Sequence, residues 1–284
     1  MEPRFRWPEG KQCAVVLSFD MDGECVPFVY DRPNARKRLT LLSEASFGPE
    51  VGMPRILRLL DQYQIPATFF IPGFTAERNT DVVKEIVKQG HEVGHHGYLH
   101  ERPDMVTEEE EEKILIRGLE VLEGITGVRP RGYRSPAWEL KYSSPALLKR
   151  YGFIYDSSLM GNDIPYRIRA GDGELLELPV QWLLDDWPWF GFQSVPPLGT
   201  GISDPAAVLS AWSWEFEGMY RENGCFVLTM HPFVSGRASR ILLLERLIRF
   251  INGFPGVWWA NCAQVADYCI NNSVCSLQEF KNLD

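Results

Sequence analysis

The stretch Cys13-Ala14-Val15-Val16-Leu17-Ser18-Phe19-Asp20-Met21-Asp22-Gly23 decides how this chain is read. From Cys13 to Phe19 only Ser18 is polar. A strand with one wet face alternates polar and apolar residues, so this run predicts a strand buried on both faces. Such strands belong to parallel sheets covered by helices, which makes the chain an α/β protein. The run stops at two carboxylates and a glycine. Alone, Asp20 and Asp22 read as an ordinary turn. At the end of a buried strand they also stand where an α/β barrel places its chemistry.

Working outward, short apolar runs alternate with amphipathic segments. A helix is predicted over about 54–63, a strand over 67–71 and a helix over 81–89, with Gly90 placed to end it. Thr107 is a natural cap for a helix to about 123. The acidic run Glu108 to Glu112 suits its first turn, where negative charge complements the helix dipole. A short helix opens at Ser144-Pro145 and ends at Gly152, and Phe153-Ile154-Tyr155 leads into another strand. Asp204-Pro205 opens a helix to about 222. Strands over 225–230 and 257–259, with helices over 238–252 and at the C-terminus, complete the pattern. Alternation of this kind predicts a distorted (β/α) barrel.

The chain has 284 residues, 45% of them hydrophobic, and a formal net charge of −9. That is enough apolar material for a large core and excludes general disorder. An acidic surface repels phosphate backbones and anionic lipid, so neither nucleic acid nor membrane is an expected partner. No apolar run approaches the roughly 18 residues needed to cross a bilayer. Met1-Glu2-Pro3-Arg4-Phe5-Arg6-Trp7-Pro8 lacks the apolar stretch of a signal peptide, so a cytoplasmic location is expected. The six scattered cysteines are expected to be small buried hydrophobes. No repeat or linker divides the sequence, so a single domain over 1–284 is expected, with a loop insertion at about 24–52.

Four of the five histidines crowd into Gly90-His91-Glu92-Val93-Gly94-His95-His96-Gly97-Tyr98-Leu99-His100. A divalent metal uses imidazoles in a way an ordinary loop does not. Two His-x-x-x-His pairs, His91/His95 and His96/His100, fit equally by spacing. Further on, Arg131-Gly132-Tyr133-Arg134-Ser135-Pro136-Ala137-Trp138 reads as a stiff loop whose Arg134 could hold a carboxylate ionised. The fifth histidine, His231, closes the apolar run Val227-Leu228-Thr229-Met230 and is a candidate acid or base.

Taken together, Ser-Phe-Asp-Met-Asp-Gly, His-Gly-Tyr-Leu-His, Arg-Ser-Pro-Ala-Trp and Leu-Thr-Met-His resemble, in order and spacing, the motifs of the polysaccharide deacetylase family, carbohydrate esterase family 4. The resemblance spans about 13–267. It implies a distorted (β/α) barrel and one divalent metal, most often zinc, used to hydrolyse N-acyl groups. Asp20 then matches the catalytic base, Asp22 the metal carboxylate, and His96 and His100 the metal imidazoles. Arg134 matches the arginine that orients the base, and His231 the general acid. Met21 separates aspartates that the family usually has adjacent, and Ala137 stands where it usually has an aromatic residue. Its fourth motif has no clear counterpart, which leaves Asp156, Asp163, Asp185 and Asp186 as candidates for steadying His231.

These departures, with the 24–52 insertion, resemble a branch of the family that acts on small amides, cyclic imides and ureides, besides some cell-wall sugars. The expected activity is therefore metal-dependent hydrolysis of a non-peptide C–N bond in a small amide or cyclic imide. The alternatives are N-deacetylation of an amino-sugar polymer such as peptidoglycan or chitooligosaccharide, and an inactive binding module on the same barrel. A metal-independent relative is a further rival. Aromatic content and the resemblance point to a homo-oligomer, dimer or tetramer.

Overall fold

The computed structural model describes residues 5–195, 197–199 and 201–280. Its strands are β1 (Cys13–Asp20), β2 (Ala67–Ile71), β3 (Glu92–His95), β4 (Gly132–Tyr133), β5 (Tyr155–Asp156), β6 (Tyr166–Ala170), β7 (Gly173–Glu177), β8 (Cys225–Met230), β9 (Val257–Trp259) and β10 (Leu277–Gln278). They lie in the order β10-β6-β7-β5-β4-β3-β2-β1-β8, with β9 also paired to β1. Every pair is parallel except the β6–β7 hairpin. An isolated parallel bridge, Asp185 to Thr229, joins the segment after β7 to the free edge of β8. The sheet is thus a distorted barrel that is not fully closed, with one isolated bridge rather than a ladder on the far side of β8.

β1 is buried along its whole length, as its apolar run predicts. Side chains alternate across a strand. Cys13, Val15, Leu17 and Phe19 face an outer core shared with the helices Met53–Tyr63, Pro205–Arg221 and Ala238–Ile251. Ala14 and Val16 face the barrel interior with Phe70, Tyr155 and Val227. Ser18 and Asp20 continue that inner row, so the strand's period aims the Asp20 carboxylate inward.

The predicted cap at Thr107 forms a full capping box with Glu110 at the head of the helix Glu108–Thr126. Asp204 caps the helix Pro205–Arg221 by accepting from Ala206 N–H. The six cysteines are all buried and unpaired. No described helix is long and apolar enough to cross a membrane.

One expectation fails. The 24–52 segment is not a loop but a chain of short helical turns, among them Val26–Asp31, Arg32–Lys37 and Leu39–Phe47. Pro27, Pro33 and Pro49 each sit in the first turn of a helical piece, where a missing N–H costs nothing. Backbone contact pins its end: a Cβ on Gly52 would lie 2.2 Å from the Pro232 carbonyl oxygen. Glycine there lets the insertion pack directly behind the residue that follows His231.

Candidate active site

Four strand ends, those of β1, β3, β4 and β8, supply the groups. β1 ends at Asp20, and Met21 N–H still pairs with the Phe70 carbonyl at 2.9 Å, so Asp22 leaves the sheet one residue later in a fixed direction. The Asp22 carbonyl is held by the Thr75 hydroxyl. β3 then separates the histidines. His95 is buried, with Nε2 3.1 Å from the Leu115 carbonyl and Nδ1 accepting from Gly97 N–H at 3.1 Å. His91 accepts from Ala67 N–H at 3.3 Å. Both are satisfied packing residues. His96, on the opposite face of the strand from His95, meets His100 with ring centroids 4.9 Å apart. Of the two pairs equally spaced in sequence, the fold brings His96 and His100 to Asp22.

Asp22 Oδ1 lies 3.5 Å from His96 Nε2 and 3.8 Å from His100 Nε2. The three donor atoms fall within 4.8 Å of one another. Asp22 Oδ1 is buried and has no hydrogen-bond partner. An orphaned buried carboxylate oxygen is costly unless something positive meets it. His96 Nδ1–H donates to the Arg134 carbonyl at 2.7 Å, which leaves the Nε2 lone pair facing Asp22. Burial pushes both imidazoles down, His100 to about 3, so both are neutral and able to bind a cation. Burial raises Asp22 to about 7, helped by Asp20, Asp185 and Asp186. This donor set fits one divalent ion.

Beside it, Asp20 Oδ1 accepts from Arg134 Nη1 at 2.8 Å. Arg134 is completely buried. Its guanidinium also reaches Ser18 Oγ at 2.9 Å, the Ser157 carbonyl at 3.0 Å and Ser157 Oγ at 2.9 Å, and it lies 4.3 Å from the Phe70 ring centroid. Burial opposes a charge on Asp20, but Arg134, with His96 and His231, outweighs it and holds the carboxyl below its usual range. Asp20 is therefore an ionised, aimed acceptor.

On the other wall stands His231, at the end of β8. Its Nδ1–H donates to Asp186 Oδ1 at 2.7 Å, and its backbone N–H donates to Asp186 Oδ2 at 2.9 Å. Burial works against an imidazolium, yet Asp186, Asp185 and Asp22 push His231 well above its ordinary value. His231 is thus a protonated donor, with Nε2 3.8 Å from Asp22 Oδ2. Of the four candidate aspartates, Asp186 is the one bonded to it. Asp156 bonds Ser158 instead, and Asp163 is exposed. Asp185, 3.7 Å from His231 Nδ1, lines the cavity. Asp185, Asp186 and His231 also cluster tightly enough for a cation. Here, however, the shared proton already joins His231 to Asp186.

All six predicted site residues line or support one cavity of about 160 Å³. The walls of this cavity are aromatic. Tyr30, from the insertion, stacks on Trp187 with centroids 5.5 Å apart, and Trp138 stacks on Trp182 at 4.4 Å. Ala137 and Trp138 both have left-handed backbones, φ 55° and 58°, uncommon for residues with a Cβ. Strain of this kind concentrates at functional sites. Larger hollows of about 830 and 600 Å³ lie away from these groups, along Glu108, Lys149 and Arg167.

An ionised carboxylate, a histidine-rich cation site and a protonated imidazole around one small cavity are the parts of a hydrolytic site. The polysaccharide deacetylase profile matches residues 36–155. A peptidoglycan deacetylase of Helicobacter pylori is 37% identical over 252 residues, 80% of this chain and 86% of its own. The chain belongs to the polysaccharide deacetylase family. A Mycobacterium smegmatis structure assigned to the polysaccharide deacetylases is 41% identical and superposes with TM-score 0.93 over 98% of this chain and 97% of its own. An allantoinase superposes at 0.82 over 93% and 92% with 21% identity, a likeness of fold. Family members are metal-dependent, in keeping with the Asp22, His96 and His100 group.

Proposed function

We propose that this protein is an N-deacetylase of an amino-sugar polymer of the peptidoglycan or chitooligosaccharide type. The single observation that carries the choice of substrate is the 37% identity, over most of both chains, to the peptidoglycan deacetylase. The small cyclic amide or ureide expected from the sequence becomes the second reading. The small cavity favours it, and the allantoinase likeness adds only a shared fold.

In the proposed site Asp22, His96 and His100 would hold the divalent ion, with zinc the expected metal. Bound there, such an ion supplies Lewis acidity and an acidified water. Asp20 accepts the proton of the attacking water through its free oxygen, while Arg134 keeps the carboxylate ionised and fixed. His231 donates the proton that the departing amine nitrogen needs. Asp186 accepts from Nδ1–H and stabilises the imidazolium, whose Nε2–H faces the cavity. These residues are intact, which weighs against an inactive binding module. We read 1–284 as one domain in the cytoplasm. The homo-oligomer is supported by exposed apolar side chains such as Leu39 and Trp214.

The test is acetate release by metal-loaded enzyme from chitooligosaccharides and soluble peptidoglycan fragments, against hydrolysis of hydantoin and succinimide. Acetate from the sugars with no ring opening supports the first reading. The reverse result installs the second.

A further inference from the structure

Tyr30 is the one cavity-lining hydroxyl for which the reaction above has no use. It comes from the helical insertion, and its ring is held face to face on Trp187 at 5.5 Å and 26°. Trp187 in turn sets its ring edge-on to His231 at 6.3 Å. Among the described residues the Tyr30 hydroxyl makes no hydrogen bond, and on a half-buried side chain at the cavity wall it is open to a ligand. Burial, with the Asp22 charge next, pushes its ionisation up, so the hydroxyl keeps its proton and is a donor.

Its position decides what it would meet. His231 serves the departing nitrogen, and in an N-acyl sugar that nitrogen is attached to the sugar ring. A donor fixed beside Trp187 and His231 therefore stands on the sugar side of the scissile bond. The cavity, about 160 Å³, is smaller than the roughly 300–1,000 Å³ of common ligand pockets, so it encloses little beyond the reacting end. Few groups are then left to recognise the sugar.

Resting on the deacetylase reading, we infer that Tyr30 is a substrate-binding residue that donates a hydrogen bond from its hydroxyl to a hydroxyl of the sugar carrying the scissile amide. Tyr30→Phe keeps the stack on Trp187 and removes only the donor. The substrates are a chitooligosaccharide or soluble peptidoglycan fragment, and 4-nitrophenyl acetate, which offers the enzyme an acyl group with no sugar.

The expected result is a fall of about tenfold in kcat/KM on the sugar relative to kcat/KM on the ester, with bound metal and Tm as in the wild type. An equal fall on both substrates would place Tyr30 at the acyl group and overturn the assignment. So would equal kcat/KM values for variant and wild type on both. Wild-type enzyme that cleaves the ester and none of the sugars overturns the deacetylase reading itself, and the assignment with it.

Discussion

Asp186 holds His231 at two points, the ring Nδ1–H at 2.7 Å and the backbone N–H at 2.9 Å. The same carboxylate also takes the Ser235 hydroxyl. Asp186→Asn keeps the shape but offers an amide where a carboxylate stabilised the imidazolium. In histidine–carboxylate pairs of serine hydrolases the equivalent change costs about 10⁴ in kcat. Here kcat on an amide is expected to fall about 10²–10⁴-fold with metal content unchanged. Esters, whose leaving groups need less protonation, should lose much less.

Removing the proposed ion should have a different signature. Purified protein is expected to carry about one divalent ion per chain, and Asp22→Ala or His96→Ala to carry almost none. Dialysis against a chelator should abolish turnover and lower Tm. An ion present at 100 times its Kd stabilises the native state by about 2.7 kcal/mol. Unchanged activity in metal-free protein would overturn the assignment of Asp22, His96 and His100.

Arg134→Lys tests the buried ion pair. The guanidinium serves Asp20, Ser18 and Ser157 together. A single ammonium cannot meet that set, so buried acceptors lose their donors. Disrupting a buried pair costs about 3–5 kcal/mol. A lowered denaturation midpoint is expected, with kcat reduced in whatever fraction stays folded.

Asp20→Asn should behave in the opposite way, retaining the metal and the fold while losing turnover. Metal analysis alongside kcat checks this, and an active variant would remove Asp20 from the mechanism.

A pH effect should come from outside the site. Asp156 and Glu177 face each other across β5 and β7. Burial raises both, Asp156 to about 6, and Glu177 further through the Asp156 charge and the proton it shares with it. An unfolded chain releases these protons near 3.8 and 4.5, whereas the native protein keeps them to higher pH. The unfolded state thus binds fewer protons in that window, and stability falls as pH rises through it. Glu177→Gln still accepts from the Ser158 and Leu159 N–H groups and donates to Asp156, with no proton to release. Thermal melts should show it at or above wild type near about pH 7.5, with that advantage gone near about pH 4.5.

What could be read in advance followed from local rules. β1, β2 and β8 announce themselves because a strand buried on both faces must be apolar throughout. The β6–β7 hairpin also has a local signal: Arg167 and Arg169 alternate with Tyr166, Ile168 and Ala170, and Gly171-Asp172 supplies the turn. The choice between His91/His95 and His96/His100 lay beyond spacing, because distant partners, Ala67 N–H and the Leu115 carbonyl, occupy the first pair. Asp186 was one of four candidates for the same reason: only the bridge between Asp185 and Thr229 sets it beside His231. The helical turns of the insertion are hidden in the sequence because prolines that open helical turns look there like prolines that break them.

The unmatched Oδ1 of Asp22 also bears on how such proteins change over generations. Where no cation meets it, a buried acceptor with no donor weakens the fold by about 1–3 kcal/mol. Metal-free Asp22→Asn should therefore melt above metal-free wild type. Once selection for turnover is relaxed, substitutions at this position are favoured by stability alone, and drift runs downhill from enzyme to silent scaffold.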